Sequence, residues 1–284
     1  MGNHARNRDF SSRAYENPYG WIMTSIKQQY LFVMFILLFC VVVYNMVPSM
    51  GVDFSLLYPA GEAVWDGENP YIAAPKFYNP PWMLLVLAPL SLLPIYPARW
   101  LWMVLGMFGY LLAFQRFSFN KSTIVLLFLS PFIYFDLGIG NCEWMVLLGA
   151  TIIPAWGAWV VILKPQASIV LLGLWIKQKD WLVLLPIIVL GALFIFGLYN
   201  LPDTKEMSWS ADIWPYGIPV GFILAYMAFK KDNILYALAA APFLSPYVAV
   251  QGWIYVLLPM TKNNRVLSVG VMLSWVAVMM FLMM

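Results

Sequence analysis

Histidine and cysteine are almost missing from this chain. His4 is the single imidazole and Cys40 and Cys142 are the only thiols, which excludes a histidine-built metal site or proton relay, a zinc-ligand spacing and a disulfide framework. Charge is thin as well. Asp, Glu, Lys and Arg make up 10% of 284 residues, where a soluble domain carries about 25%. The net charge of +3 gives a nucleic-acid partner no support. No Gly-rich phosphate loop is present, which removes the usual nucleotide sites.

What fills the chain is apolar: 63% of it is hydrophobic and the mean hydropathy is +0.78. The class is a polytopic integral-membrane protein, and we expect an all-α fold. Residues 1–29 form a polar segment with Arg6, Arg8, Arg13 and Lys27, after which Leu31 opens the run LFVMFILLFCVVVYNMV. No small-residue cleavage site appears near Val47, so the run reads as an uncleaved first helix entering from the cytoplasm. Residues 30–284 then make one integral-membrane domain, whose first loop, 51–80, faces outward.

Later apolar runs cover 82–94, 100–114, 122–135, 144–163, 167–176, 181–200, 214–229, 233–244, 247–260 and 266–284. Several fall short of the roughly 20 residues of an upright span. The expectation is therefore a bundle of roughly nine to eleven membrane helices, several short or broken. Pro89, Pro94, Pro97, Pro131, Pro154, Pro165, Pro242 and Pro246 mark the breaks or beginnings. Basic turns at Lys177 and Lys179, Lys230 and Lys231, and Lys262 and Arg265 belong inside, with the acidic stretch Pro202–Glu206 and Asp212 outside. Trp209, Trp214 and Tyr216 fit an interfacial aromatic belt, and Met279, Met280, Met283 and Met284 a lipid or packing surface. Between 82 and 163 two topologies compete. One crossing per run puts Arg116 and Lys121 outside and Asn141 inside; the other reverses them, provided that 82–94 does not cross fully and 144–163 doubles back near Pro154.

Three polar interruptions carry the chemistry. Asp53 follows the first span at the lipid–water boundary, where a carboxylate is costly unless it faces water, a cation or a substrate hydroxyl. Asp53–Asp66 has the spacing of an amphipathic interfacial helix, with Phe54, Leu57, Ala60 and Trp65 available to its apolar side. Glu62 and Asp66 on it, and Glu68 just beyond it, also read as ordinary solvated charges. Lys164-Pro165-Gln166 divides an apolar stretch, and Lys164 reads equally as a phosphate-binding cation or a snorkelling helix-end lysine. In Gly138-Ile-Gly-Asn141-Cys-Glu143 the glycines allow a tight turn and Asn141 is placed to cap the next helix. Asp53, Glu62, Asp66 and Glu143 offer oxygen ligands suited to a hard divalent cation, although no spacing demands one, and no metal residues are assigned.

In this order the interruptions resemble a known pattern. Asp53-Phe54, Tyr58, Ala60, Gly67, Asn69-Pro70-Tyr71, Tyr78, Pro80-Pro81, Ala88-Pro89-Leu90 and Leu93-Pro94 look like the first outer loop and next helix of GT-C integral-membrane glycosyltransferases. Within that class the chain is similar to glycosyltransferase family 87, the polyprenyl-phosphate-mannose-dependent, alpha-mannosyltransferase-like group. Ser130-Pro131, Gly140-Asn141 and Lys164-Pro165 stand where that group shows Ser-Pro, Gly-Gln and Lys-Pro. Asn141 thus departs from the usual Gln, and the chain is shorter than typical members.

The resemblance, over about residues 50–180, implies a GT-C-like bundle in the cell membrane with an outward active site. It implies inverting transfer of a mannose-like sugar from a polyprenyl-phosphate donor to a hydroxyl of a lipid or glycan acceptor. Asp53 would be the general base and Lys164 would hold the donor phosphate. Tyr58, Glu62, Asp66, Tyr71, Tyr78, Asn141 and Gln166 would bind substrate, with Trp65 a further stacking surface. A non-catalytic membrane subunit or a lipid-linked-sugar flippase is the competing expectation, since broken helices with polar residues also occur in transporters.

Overall fold

Proline, asparagine and serine set the helix starts. In the computed structural model, which describes residues 51–195 and 210–283, every regular element is helical. Helices α1 (Val52–Asp66) and α2 (Pro70–Ala73) precede α3 (Leu84–Ser91), α4 (Ile95–Arg116), α5 (Lys121–Phe128) and α6 (Pro131–Ile139). Next come α7 (Glu143–Gly149), α8 (Pro154–Val161), α9 (Pro165–Lys177) and α10 (Leu184–Ile195). The last are α11 (Ile218–Lys231), α12 (Ile234–Leu244), α13 (Ile254–Leu257) and α14 (Asn264–Met283). Pro131, Pro154 and Pro165 occupy the first turns of α6, α8 and α9, where the missing N–H costs nothing. Asn120 and Asn233 cap α5 and α12 by accepting Thr123 N–H at 2.9 Å and Leu235 N–H at 2.9 Å. Pro89 and Pro242, by contrast, lie inside α3 and α12 rather than ending them.

Among the described residues, α4 and α14 are by length and composition able to cross a bilayer, and a third span is added if α5 and α6, bent by 60° at Ser130-Pro131, count as one. The other apolar runs form shorter helices, in keeping with the short or broken pieces expected of them. The first expected span, the polar N-terminal segment with His4, Cys40, Pro202–Glu206, Trp209 and Met284 all lie outside the described residues. Run 144–163 does double back at Pro154. Helices α7 and α8 pack on each other so closely that a Cβ on Gly157 would lie 2.5 Å from Gly149 O.

The two long helices differ in what they bury. Helix α4 sinks Met103, Met107, Tyr110 and Phe114, one stripe at helical spacing, into the centre, and packs on α7. Helix α14 buries only Leu267, Val271, Ser274 and Val278, and exposes Val269, Met272, Leu273, Val276, Met279 and Met280, a surface that lipid accommodates. In the second half α12, rich in buried alanines, packs closely on both α9 and α11. The three basic turns meet at one end: Lys177 bridges to Asp232 at 2.8 Å, and the Lys231 and Lys262 ammonium groups lie 5.2 and 5.6 Å from the Tyr236 ring centre.

Candidate functional site

The site is built where the start of α1 meets the loop between α6 and α7. Gly51, the N-cap of α1, has φ 69°, and its N–H donates to Gly138 O at 2.8 Å. Gly140 ends α6 with φ 79°, and the loop it begins is pinned from the other side by Trp102 on α4, whose Nε1 donates to Gly140 O (3.0 Å) and Asn141 O (3.1 Å). Asp53 sits in the first turn of α1. Asn141 Nδ2 donates to its Oδ2 at 2.5 Å, while Asn141 Oδ1 accepts Cys142 N–H at 2.7 Å. The asparagine therefore does not cap α7, as its position in sequence suggested. Asp136 takes that part, its Oδ1 accepting Glu143 N–H at 3.2 Å.

Gly140 has no substitute. A Cβ there would lie 2.6 Å from Phe54 Cβ on a left-handed backbone, whereas Gly67, also left-handed at φ 70°, faces open space. Gly67→Ala is expected to cost about 1 kcal/mol from backbone strain alone, and Gly140→Ala about 2 kcal/mol or more because strain and overpacking combine. Unfolding of the two purified variants in detergent checks the order; equal losses would mean that Phe54 gives way freely.

Beneath Asp53 lies a closed polar network. Lys164, the N-cap of α9, places Nζ 2.5 Å from Glu143 Oε1, and both side chains are buried. The other Glu143 oxygen, Oε2, accepts from the Tyr255 hydroxyl of α13. Asp136 is buried with Oδ2 accepting from Tyr110 OH at 2.8 Å. Every carboxylate oxygen of Asp136 and Glu143 thus has a donor, the condition under which buried charge is tolerated. Asp53 is different. It is partly exposed, and among the described residues its Oδ1 takes no hydrogen bond. Burial raises its pKa above the usual aspartate range, with Lys164 and the Asn141 hydrogen bond opposing and Glu143 reinforcing the rise.

Of the residues singled out in the sequence, Asp53, Asn141 and Lys164 come together, and Tyr78 joins them. The Tyr247 hydroxyl, raised by burial, is pulled down by Lys164 and pushed up by Asp53, Glu143 and Tyr78, so these groups share one electrostatic environment. Asn79 ties the Tyr78 segment to the site by donating to Leu163 O at 3.2 Å. Tyr71 lies one step away, its hydroxyl donating to Asn79 O at 2.9 Å. The remainder fall elsewhere. Tyr58 is buried, with its hydroxyl donating to Leu93 O at 2.8 Å. Glu62 and Asp66 are exposed further along α1, about 14 and 20 Å from Asp53 at 1.5 Å per residue. Trp65 is exposed rather than on the packed side of α1, although its Nε1 donates to Ala88 O at 2.7 Å. Gln166 is exposed in the first turn of α9. Among the described residues no group of three acidic, Cys or His side chains is arranged to hold a metal ion.

Asp136, Tyr110, Tyr247 and Tyr255 were not foreseen. For Asp136 the signal was present: a lone carboxylate in the apolar stretch PFIYFDLGI, which in a membrane protein calls for a partner. The tyrosines carried no such mark. Comparison with known proteins returns no match, whether to a family model, a curated protein or a solved structure. The likeness to family 87 therefore rests on the motif residues alone.

Proposed function

We propose that this chain is a membrane transferase that passes a sugar from a polyprenyl-phosphate donor to an acceptor hydroxyl, with inversion, using Asp53 as general base. The observation that carries the reading is the contrast among three neighbouring carboxylates. Glu143 and Asp136 are buried and saturated with donors, while Asp53 keeps an oxygen open and is partly exposed. A carboxylate raised by partial desolvation accepts a proton more readily than an ordinary aspartate, which is what deprotonating an alcohol asks of it. The Asn141 amide orients the group, and a neutral donor leaves it able to titrate.

In this reading Tyr78 and Tyr247 face the sugar. Lys164 answers Glu143 and holds α9 to α7, and it reaches a donor phosphate only by sharing its ammonium with that carboxylate. The same ion pair favours the second reading, a non-catalytic membrane subunit, because it leaves the expected phosphate cation occupied. Incubating purified wild-type chain with radiolabelled polyprenyl-phosphate sugars and a hydroxyl acceptor decides between them. Transfer of label with inverted anomeric configuration is the expected result; no transfer from any donor in the panel, with or without divalent cation, would leave the second reading standing.

A further inference from the structure

Lys164 is answered by Glu143, but another cation beside the site is not answered. Arg99 is the fifth residue of α4, near one end of a helix long enough to span the bilayer. Its guanidinium folds across the α-carbon of Gly51, so that a Cβ there would collide with Arg99 Nε and Cζ. One Nη2 hydrogen is used, donated to Ser55 Oγ at 3.0 Å, and Ser55 Oγ passes its own hydrogen to Gly51 O at 2.7 Å. Cζ lies 5.6 Å from the centre of the Tyr96 ring. Arg99 Nε is buried without an acceptor, and no carboxylate among the described residues pairs with this side chain.

A guanidinium has five N–H donors in a planar fork. Nε is covered by Gly51, but the side chain as a whole is only half-buried, and Nη1 and the second Nη2 hydrogen, at the open end of the fork, have no acceptor among the described residues. Leaving such donors unmade at a lipid boundary is costly, and a ligand's oxygens can reach them. Phosphate fits the fork, since two of its oxygens can be held side by side. The neighbouring Leu92 and Tyr96 are exposed and apolar enough to meet a hydrocarbon chain.

We propose that Arg99, backed by Ser55 and the bare Gly51, is the binding site for a phosphate carried on a lipid, and that in the transferase reading above, on which this assignment rests, the lipid is the polyprenyl donor. Ser55, which accepts from Arg99, and Asp53 are two residues apart on α1, about 200° around the helix and about 3 Å along it. Arg99 and the proposed base therefore flank the start of the same helix. In-line inversion needs the leaving phosphate and the attacking hydroxyl on opposite sides of the anomeric carbon, and a sugar at that helix end has one group on each side.

Direct binding tests the site without turnover. The full chain in detergent is titrated with polyprenyl phosphate, uncharged polyprenol, phosphatidate and inorganic phosphate, for the wild type, Arg99→Ala, Arg99→Gln and Arg99→Lys. The expected result is tight binding of polyprenyl phosphate that Arg99→Ala and Arg99→Gln weaken at least tenfold, that Arg99→Lys partly restores, and that polyprenol does not reproduce. Binding within twofold of wild type in both neutral variants overturns the site. Phosphatidate binding as tightly and falling equally assigns the site to a bilayer phospholipid and overturns the donor. Should Arg99→Ala fail to fold, Arg99→Gln and Arg99→Lys carry the comparison. Wild-type sugar transfer with unchanged binding in the Arg99 variants removes Arg99 alone; Arg99-dependent binding without any transfer removes the transferase and keeps the site.

Discussion

Asp53→Asn is expected to remain folded and to lower sugar transfer from a polyprenyl-phosphate donor by about 10²–10⁴-fold, the usual worth of a positioned general base. The substitution is nearly isosteric, and its amide oxygen can still accept from Asn141 Nδ2, so the loop after Gly140 stays where it is. Initial rates at saturating donor are the measurement, and a variant that retains wild-type turnover ends the role of Asp53 as base.

The raised pKa adds a second readout that needs no substrate. A carboxyl whose folded-state pKa is raised binds its proton more tightly in the native chain than in the unfolded one. Its contribution to stability is complete below the ordinary aspartate range and is lost as pH rises through the elevated value. The variant cannot ionise. The melting temperature of Asp53→Asn minus that of wild type should therefore rise with pH across that window and level off above it, and the acid limb of the wild-type rate should lie above the ordinary aspartate range. A difference that stays flat with pH would mean that Asp53 titrates as a solvated carboxylate.

The second large effect belongs to Lys164. Lys164→Ala strands Glu143 in a buried site with only Tyr255 to satisfy it, and removing one partner of a buried ion pair costs about 3–5 kcal/mol. The chain should melt far lower or fail to accumulate in the membrane. Removing both charges together, as Glu143→Gln with Lys164→Met, keeps an acceptor for the Tyr255 hydroxyl and is expected to lose much less. Such a rescue identifies the pair as structural. If instead Lys164→Ala melts with the wild type and donor saturation shifts, Lys164 takes the phosphate, as its place in the sequence suggested, and Arg99 does not.

Much of the local structure was legible before any coordinates. The helix over Asp53–Asp66 appears as Val52–Asp66, because Gly51 and Gly67 supply left-handed residues at its two ends and Phe54, Leu57 and Ala60 repeat at helical spacing. Pro131, Pro154 and Pro165 begin helices where proline chemistry puts them. Pro89 and Pro242 did not obey the same rule, since a proline inside a helix is tolerated when neighbouring groups satisfy the freed carbonyl. Run length does not give the number of crossings for a related reason: apolar content and run length are alike for a helix that crosses and for two short ones packed on each other, as α7 and α8 are.

By itself the sequence determined a helical, lipid-adapted chain and the positions of its helix starts, for these depend on composition and on residues a few positions apart. It also marked Asp53, since a carboxylate next to a membrane span is conspicuous anywhere. The tertiary structure alone decided which charges cancel. Asp53 meets Asn141 across 88 residues, Lys164 meets Glu143 across 21, and Tyr255 meets Glu143 across 112. A charge's chemistry is set by what stands within a few ångströms of it, where Coulomb and hydrogen-bond energies are large, and spacing along the chain holds no record of that distance.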